Sequence, residues 1–156
     1  MAITLFVYLL CIVSWLGGML FFTVFTGPAL FNTLPRAEAG KVVSVIFPRY
    51  YLLGYVAGII GVILALYFAI VHTPRLWWAL AAIALLLALA LTFYAGIVVR
   101  PKVEAMRTVI ADQNPEPARA TEFQRLHRLS VALNGAAMVL DLLALLSTAA
   151  ALTPYG

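Results

Sequence analysis

The chain has 156 residues, enough for one domain; 65% of them are hydrophobic and 10% charged, against roughly 45 to 50% and 25% in an ordinary soluble domain. That composition excludes a water-soluble fold. The net charge of +4 does not indicate nucleic acid either, because a phosphate-binding surface needs a basic face on a folded soluble module, and none is encoded.

A helix rising about 1.5 Å per residue needs about 20 uncharged residues to cross roughly 30 Å of hydrocarbon. Residues 3–25 form the first stretch that meets this requirement. It lacks a charged leader and an A-x-A cleavage site, so it is expected to be a retained helix and not a signal peptide. Cys11, the single cysteine, falls inside it as a small hydrophobe and excludes an intrachain disulfide or a thiolate metal cluster. Gly17 and Gly18 offer a close-packing point, or loosen the helix around Trp15. Pro28 and Pro35 bracket its exit, where the chain is expected to turn along the membrane surface.

The connector 33–49 carries Arg36, Lys41 and Arg49, and Phe47, Tyr50, Tyr51 and Tyr55 then lead into the second span, 52–71, as a short interfacial segment. Gly54, Gly58 and Gly61 give that span a smooth face, which suits close helix packing within a bundle. A short connector, 72–76, holds only Arg75. The third span, 77–99, ends at Arg100 and Pro101. Beyond it the connector 100–128 carries six cations, and a turn signal at 112–117 separates two charged amphipathic stretches. These are expected to extend spans three and four as a helical hairpin. The fourth span, 129–152, includes Asp141.

Nine of the ten Lys and Arg residues thus fall in the connectors 33–49 and 100–128. By the positive-inside rule those connectors are cytoplasmic, in a multi-pass protein of the inner (plasma) membrane with both chain ends outside. Tyr50, Tyr51, Trp77, Trp78 and Tyr155 sit near the expected interfaces as aromatic anchors. The expected fold is an all-α integral membrane protein, four transmembrane helices in an antiparallel bundle with the lipid bilayer as its partner.

Asp141 is the most informative residue. A charged acid near the middle of a span costs about 3 kcal/mol or more. Ser130, Asn134, Asp141 and Thr148 recur at spacings of four, seven and seven, one stripe on a helix that must point inward. Two roles fit the carboxyl: a stepping stone for a proton or cation, or an interhelical hydrogen bond to Tyr94, Tyr67 or Ser14. A second cluster, Phe123, His127, Ser130 and Asn134, lies at the cytoplasmic mouth of the fourth span. His72 and His127 are expected on opposite sides, which argues against bis-histidine haem, and no metal site of ordinary ligand count can be assembled. No phosphate loop, nucleophile elbow or zinc-protease motif is present, so no enzyme activity and no cofactor are expected.

Four groups of residues carry a likeness: Trp15 with Gly17; Leu34, Pro35 and Arg36 followed by Gly40; Phe47, Pro48, Tyr50 and Tyr51; and Phe123, Leu126, His127, Ser130 and Asn134. With them the chain resembles the transmembrane-protein-205-like family, the domain of unknown function 4149, along its whole length. The resemblance implies a small four-span protein concerned with transport or trafficking. A more distant likeness is to copper-resistance D type four-helix membrane proteins, some of which handle haem or copper, but the intramembrane histidines for that role are missing. The resemblance places Arg36, Phe47, Pro48, Tyr50, Tyr51, His127 and Asn134 at one shared mouth. Three readings follow: binding or passage of a small molecule or ion, which favours a homo-oligomer because four helices enclose little space; service as an accessory or assembly subunit of a larger membrane complex; and, as a second alternative, haem or copper handling.

Overall fold

The computed structural model describes residues 1–110 and 117–153, with side chains at 1–106 and 118–153. The turn signal within 111–116 and the anchor Tyr155 lie outside the described residues. Helix α1 (Ala2–Phe21) passes through a π-helical turn (Phe22–Thr26) into α2 (Gly27–Thr33), and α3 (Arg36–Val71) follows. Helix α4 (Arg75–Phe93) passes through a second π-helical turn (Tyr94–Val99) into α5 (Arg100–Ile110), and α6 (Pro117–Leu152) closes the chain. Four continuous helical stretches are long and apolar enough to cross a membrane: Ala2–Thr33, Arg36–Val71, Arg75–Met106 and Ala118–Leu152.

Helix continues through three prolines that lie beside span boundaries expected from sequence. Helix runs through Pro28 to Thr33 and breaks only at Leu34, extended at φ −111° and ψ 150°, as the residue before a proline prefers. From Arg36 on, the connector 33–49 and the interfacial segment leading to residue 52 are the first part of α3, with Pro48 inside it. Helix also continues through Pro101 into α5, the extension of the third span expected from sequence. At all three positions proline is accommodated within the helix instead of ending it.

Two of these accommodations share a geometry. Gly27 N–H bonds to the carbonyl of Phe22, and Arg100 N–H to that of Ala95, so each π-helical turn ends two residues before a proline. A proline ring clashes with the carbonyl four residues back. For Pro28 and Pro101 that carbonyl belongs to Val24 and Ile97, inside the widened turns. Widening relieves the clash.

The bundle packs α4 against both α3 and α6, and α1 against α3 and α6. Trp15 of α1 fills the smooth face of α3: a Cβ on Gly58 would lie 2.9 Å from its Cζ3 and 2.7 Å from Leu89 Cδ1, and one on Gly54 2.9 Å from its Nε1. Small residues thus set the close approach of α1, α3 and α4, within the bundle. Gly17 faces open space and Gly18 meets only the Leu53 side chain, so the first span packs through its buried residues Tyr8, Ile12, Trp15 and Met19. At 36 residues each, α3 and α6 are about 54 Å long, well beyond the hydrocarbon thickness. Their charged stretches, with Arg36, Lys41 and Arg49 on one and Arg119, Arg125 and Arg128 on the other, lie at the ends away from Val71 and Leu152.

Candidate functional site

Polar side chains gather at two levels of the bundle. At the first, Asp141 of α6 is completely buried, and neither carboxyl oxygen has a hydrogen-bond partner among the described residues. One helical step of seven residues further lies Thr148, also fully buried, whose Oγ1 donates to the carbonyl of Ala144 at 2.8 Å. That donation leaves the Tyr8 hydroxyl to donate in turn to Thr148 Oγ1, also at 2.8 Å. The Tyr8 ring is held edge-on by Phe68 and Trp78, with centroids at 5.6 Å and 5.8 Å. Asp141 and the Tyr8 hydroxyl lie within electrostatic range of each other. The helix exposes this arrangement inward because Ala137, Asp141, Ala144, Ser147 and Thr148 share one buried stripe.

The second level lies toward the π-helical turns. Tyr50 of α3 donates its hydroxyl hydrogen to Oδ1 of Asn134, and Nδ2 of Asn134 donates to Oγ1 of Thr23 at 3.3 Å, in the first π-helical turn. Tyr51 lies within reach of the Ser130 hydroxyl. Around them Phe22 packs on Phe47 and Tyr50, with centroids at 5.2 Å and 5.6 Å. Tyr55 lies flat on Phe93 at 4.5 Å. Interhelical hydrogen bonds of this kind contribute about 0.6 kcal/mol each in a membrane, and up to about 1.7. Three elements are therefore tied at this level through Asn134 of α6.

Among the residues singled out from sequence, Tyr50, Tyr51, Ser130 and Asn134 meet at this second level, and Asp141 sits in the first. Arg36 and His127 are exposed. His127 stacks on Phe123, one turn earlier on its own helix, with ring planes 8° apart. The hydrogen-bond partners expected for Asp141 are absent: Tyr67 and Tyr94 are about half exposed on the outside of the bundle, and no described group bonds the carboxyl. Tyr8 escaped the sequence reading, since a tyrosine close to the start of a span reads as an interfacial anchor. Its signal was the spacing of Tyr8, Ile12, Trp15 and Met19, which marks one helix face. Arg100 was also missed as anything other than a topogenic charge; its Nε is buried without a partner among the described residues.

Seven helical residues span about 10 Å, so the side chains of Asn134, Asp141 and Thr148 are too widely spaced for direct hydrogen bonding along α6. No group of three or more His, Cys, Asp or Glu residues is placed to hold a metal ion among the described residues. One carboxyl with nearby hydroxyls can take up a proton or a small cation, not a tightly ligated transition metal.

A model of the family described as a domain of unknown function (DUF4149) matches residues 10–112. That stretch contains Trp15, Arg36, Phe47, Tyr50 and Tyr51 and ends before His127, Asn134 and Asp141. No curated protein and no solved structure matches the chain.

Proposed function

Because the chain belongs to the DUF4149 family, whose description assigns no activity, we propose from its own polar groups that it binds a proton or small cation at Asp141 and passes it along the interior of the bundle. The supporting observation is the carboxyl itself, fully buried and with neither oxygen bonded among the described residues. Leaving such a group unsatisfied costs about 1 to 3 kcal/mol when neutral and more when charged. A proton or cation arriving from outside the chain supplies what the neighbouring side chains do not. Intramembrane acids commonly mark such pathways.

In this reading the helices run antiparallel, with both chain ends outside and the basic ends of α3, α5 and α6 in the cytoplasm, as the clustering of positive charge favours. Asn134, Tyr50 and Ser130 with Tyr51 form the cytoplasmic approach, and His127 and Arg36 stand at its rim. Thr148 and Tyr8 form the outer side. The gaps of about 10 Å along α6 are crossed by water or by movement of the helices, and a second copy of the chain widens the enclosed space. The likeness to transmembrane-protein-205-like proteins, with its implication of transport, agrees with this role. No chemical step is assigned to the protein.

The experiment is ion flux into sealed liposomes holding the purified protein and a pH-sensitive dye, driven by a potassium diffusion potential, with a sodium indicator in a parallel arm. Wild type is expected to conduct in one arm, and Asp141→Asn to lose that conduction while keeping its folded yield. Equal flux from both proteins, or none from wild type, overturns the assignment.

A further inference from the structure

Arg100 opens α5 directly behind the second π-helical turn, and its Nε is buried without a hydrogen-bond partner among the described residues. Glu104 lies one turn further along α5 and is engaged in an interaction of its own, yet that Nε hydrogen is left over. Two tyrosines of α3 lie within electrostatic range of the guanidinium: Tyr51 and Tyr55. Tyr51 is anchored beside Ser130 of α6, and Tyr55 by its flat stack on Phe93 of α4. Gly96, one turn before Arg100, makes their approach possible. A Cβ there would collide with the Tyr55 hydroxyl and would stand 2.8 Å from Tyr51 Cδ1.

A guanidinium presents planar N–H donors that match the oxygens of a phosphate or carboxylate, and it is the preferred side chain for such anions at buried positions. Phenol hydroxyls donate to the same oxygens. Exposed Arg49, Lys102 and Arg128 stand close in sequence to Tyr50, Arg100 and Ser130 and add an attractive field for anions at this end of the bundle. The Nε donor and the two anchored tyrosines set a guanidinium and phenol hydroxyls side by side, a donor set that suits an oxyanion.

We propose that Arg100, with the hydroxyls of Tyr51 and Tyr55, binds a phosphate-type oxyanion at this end of the bundle, carried by an anionic lipid headgroup or free in solution. The site is independent of the role given to Asp141.

The test follows the unfolding midpoint of the purified protein in a neutral detergent. Phosphatidylglycerol is titrated against phosphatidylcholine, and inorganic phosphate against chloride at equal ionic strength. Saturable stabilisation by phosphatidylglycerol but not phosphate identifies a lipid headgroup; saturable stabilisation by phosphate identifies the free anion. A hydrogen-bonded charge pair is strong enough that Arg100→Gln is expected to weaken apparent affinity by about tenfold or more. Lys102→Gln removes the same charge two residues away and is expected to change it by less than about twofold. Tyr55→Phe keeps the ring stack and loses one donor, which gives an expected weakening of a few-fold. The absence of saturable stabilisation, or equal losses in Arg100→Gln and Lys102→Gln, overturns the site. Should Arg100→Gln fail to fold, unchanged affinity in Tyr55→Phe overturns it.

Discussion

A methyl group added at Gly58 tests the close approach of α1, α3 and α4 more directly than any other single change. Its Cβ would stand 2.7 Å from Leu89 Cδ1 and 2.9 and 3.0 Å from Cζ3 and Cη2 of Trp15, whereas carbon atoms settle at about 3.5 to 4.0 Å. Leu89 can turn its terminal methyl aside. Trp15 cannot, because its ring is rigid and the residue is 3% exposed, so about half an ångström of helix displacement is needed to restore van der Waals spacing. Overpacking of this kind costs about 1 to 3 kcal/mol, partly offset by up to about 1 kcal/mol of helix preference for Ala over Gly. Gly58→Ala is therefore expected to be destabilised by about 1 to 2 kcal/mol. Gly61→Ala, whose Cβ meets Leu85 Cδ1 at an ordinary 3.5 Å, is expected to be neutral or slightly stabilised. Gly135→Ala, with nothing within 4 Å, behaves likewise. Fraction folded against SDS in mixed micelles measures all three. If Gly58→Ala unfolds no earlier than Gly61→Ala, the three helices do not meet as described.

Tyr8→Phe removes the hydrogen bond to Thr148 and keeps the edge contacts with Phe68 and Trp78; the same SDS titration is expected to show a loss of about 0.6 to 1.5 kcal/mol. Tyr50→Phe strands the Asn134 carbonyl at about 1 kcal/mol, and Thr23→Val, which cuts only the 3.3 Å bond from Asn134, costs less in the same assay. Gly96→Ala forces Tyr55 away from Phe93; the expected readout is an unfolding midpoint below that of Tyr55→Phe, which keeps the stack.

The spans and the inward stripe of α6 were legible because membrane thickness sets a length and helical geometry sets a spacing. Asp141 and Thr148, seven residues apart, lie on the same buried face that carries Ala137 and Ala144. The helix boundaries were less legible. Proline commonly ends a helix because its ring clashes with the carbonyl four residues back, and the π-helical turns that relieve this clash before Pro28 and Pro101 leave no mark in the sequence. Partners across the bundle were hidden for a different reason: pairing Tyr8 with Thr148 or Tyr50 with Asn134 requires the depth at which each helix sits, which single-span periodicity does not contain. Arg100 looked like one more charge for orientation until the neighbouring π-helical turn and Gly96 brought the tyrosines beside it.

The bond between Tyr8 and Thr148 joins residues 140 positions apart, which has a consequence for biogenesis. As the chain leaves the ribosome, the first helix enters the bilayer with a hydroxyl for which its proper acceptor has not yet been made. Only the final helix, delivered last, satisfies it and at the same moment shields the carboxyl of Asp141 from acyl chains. A nascent protein stalled after three helices would present that unsealed flank to the lipid, where membrane quality-control proteases could recognise it.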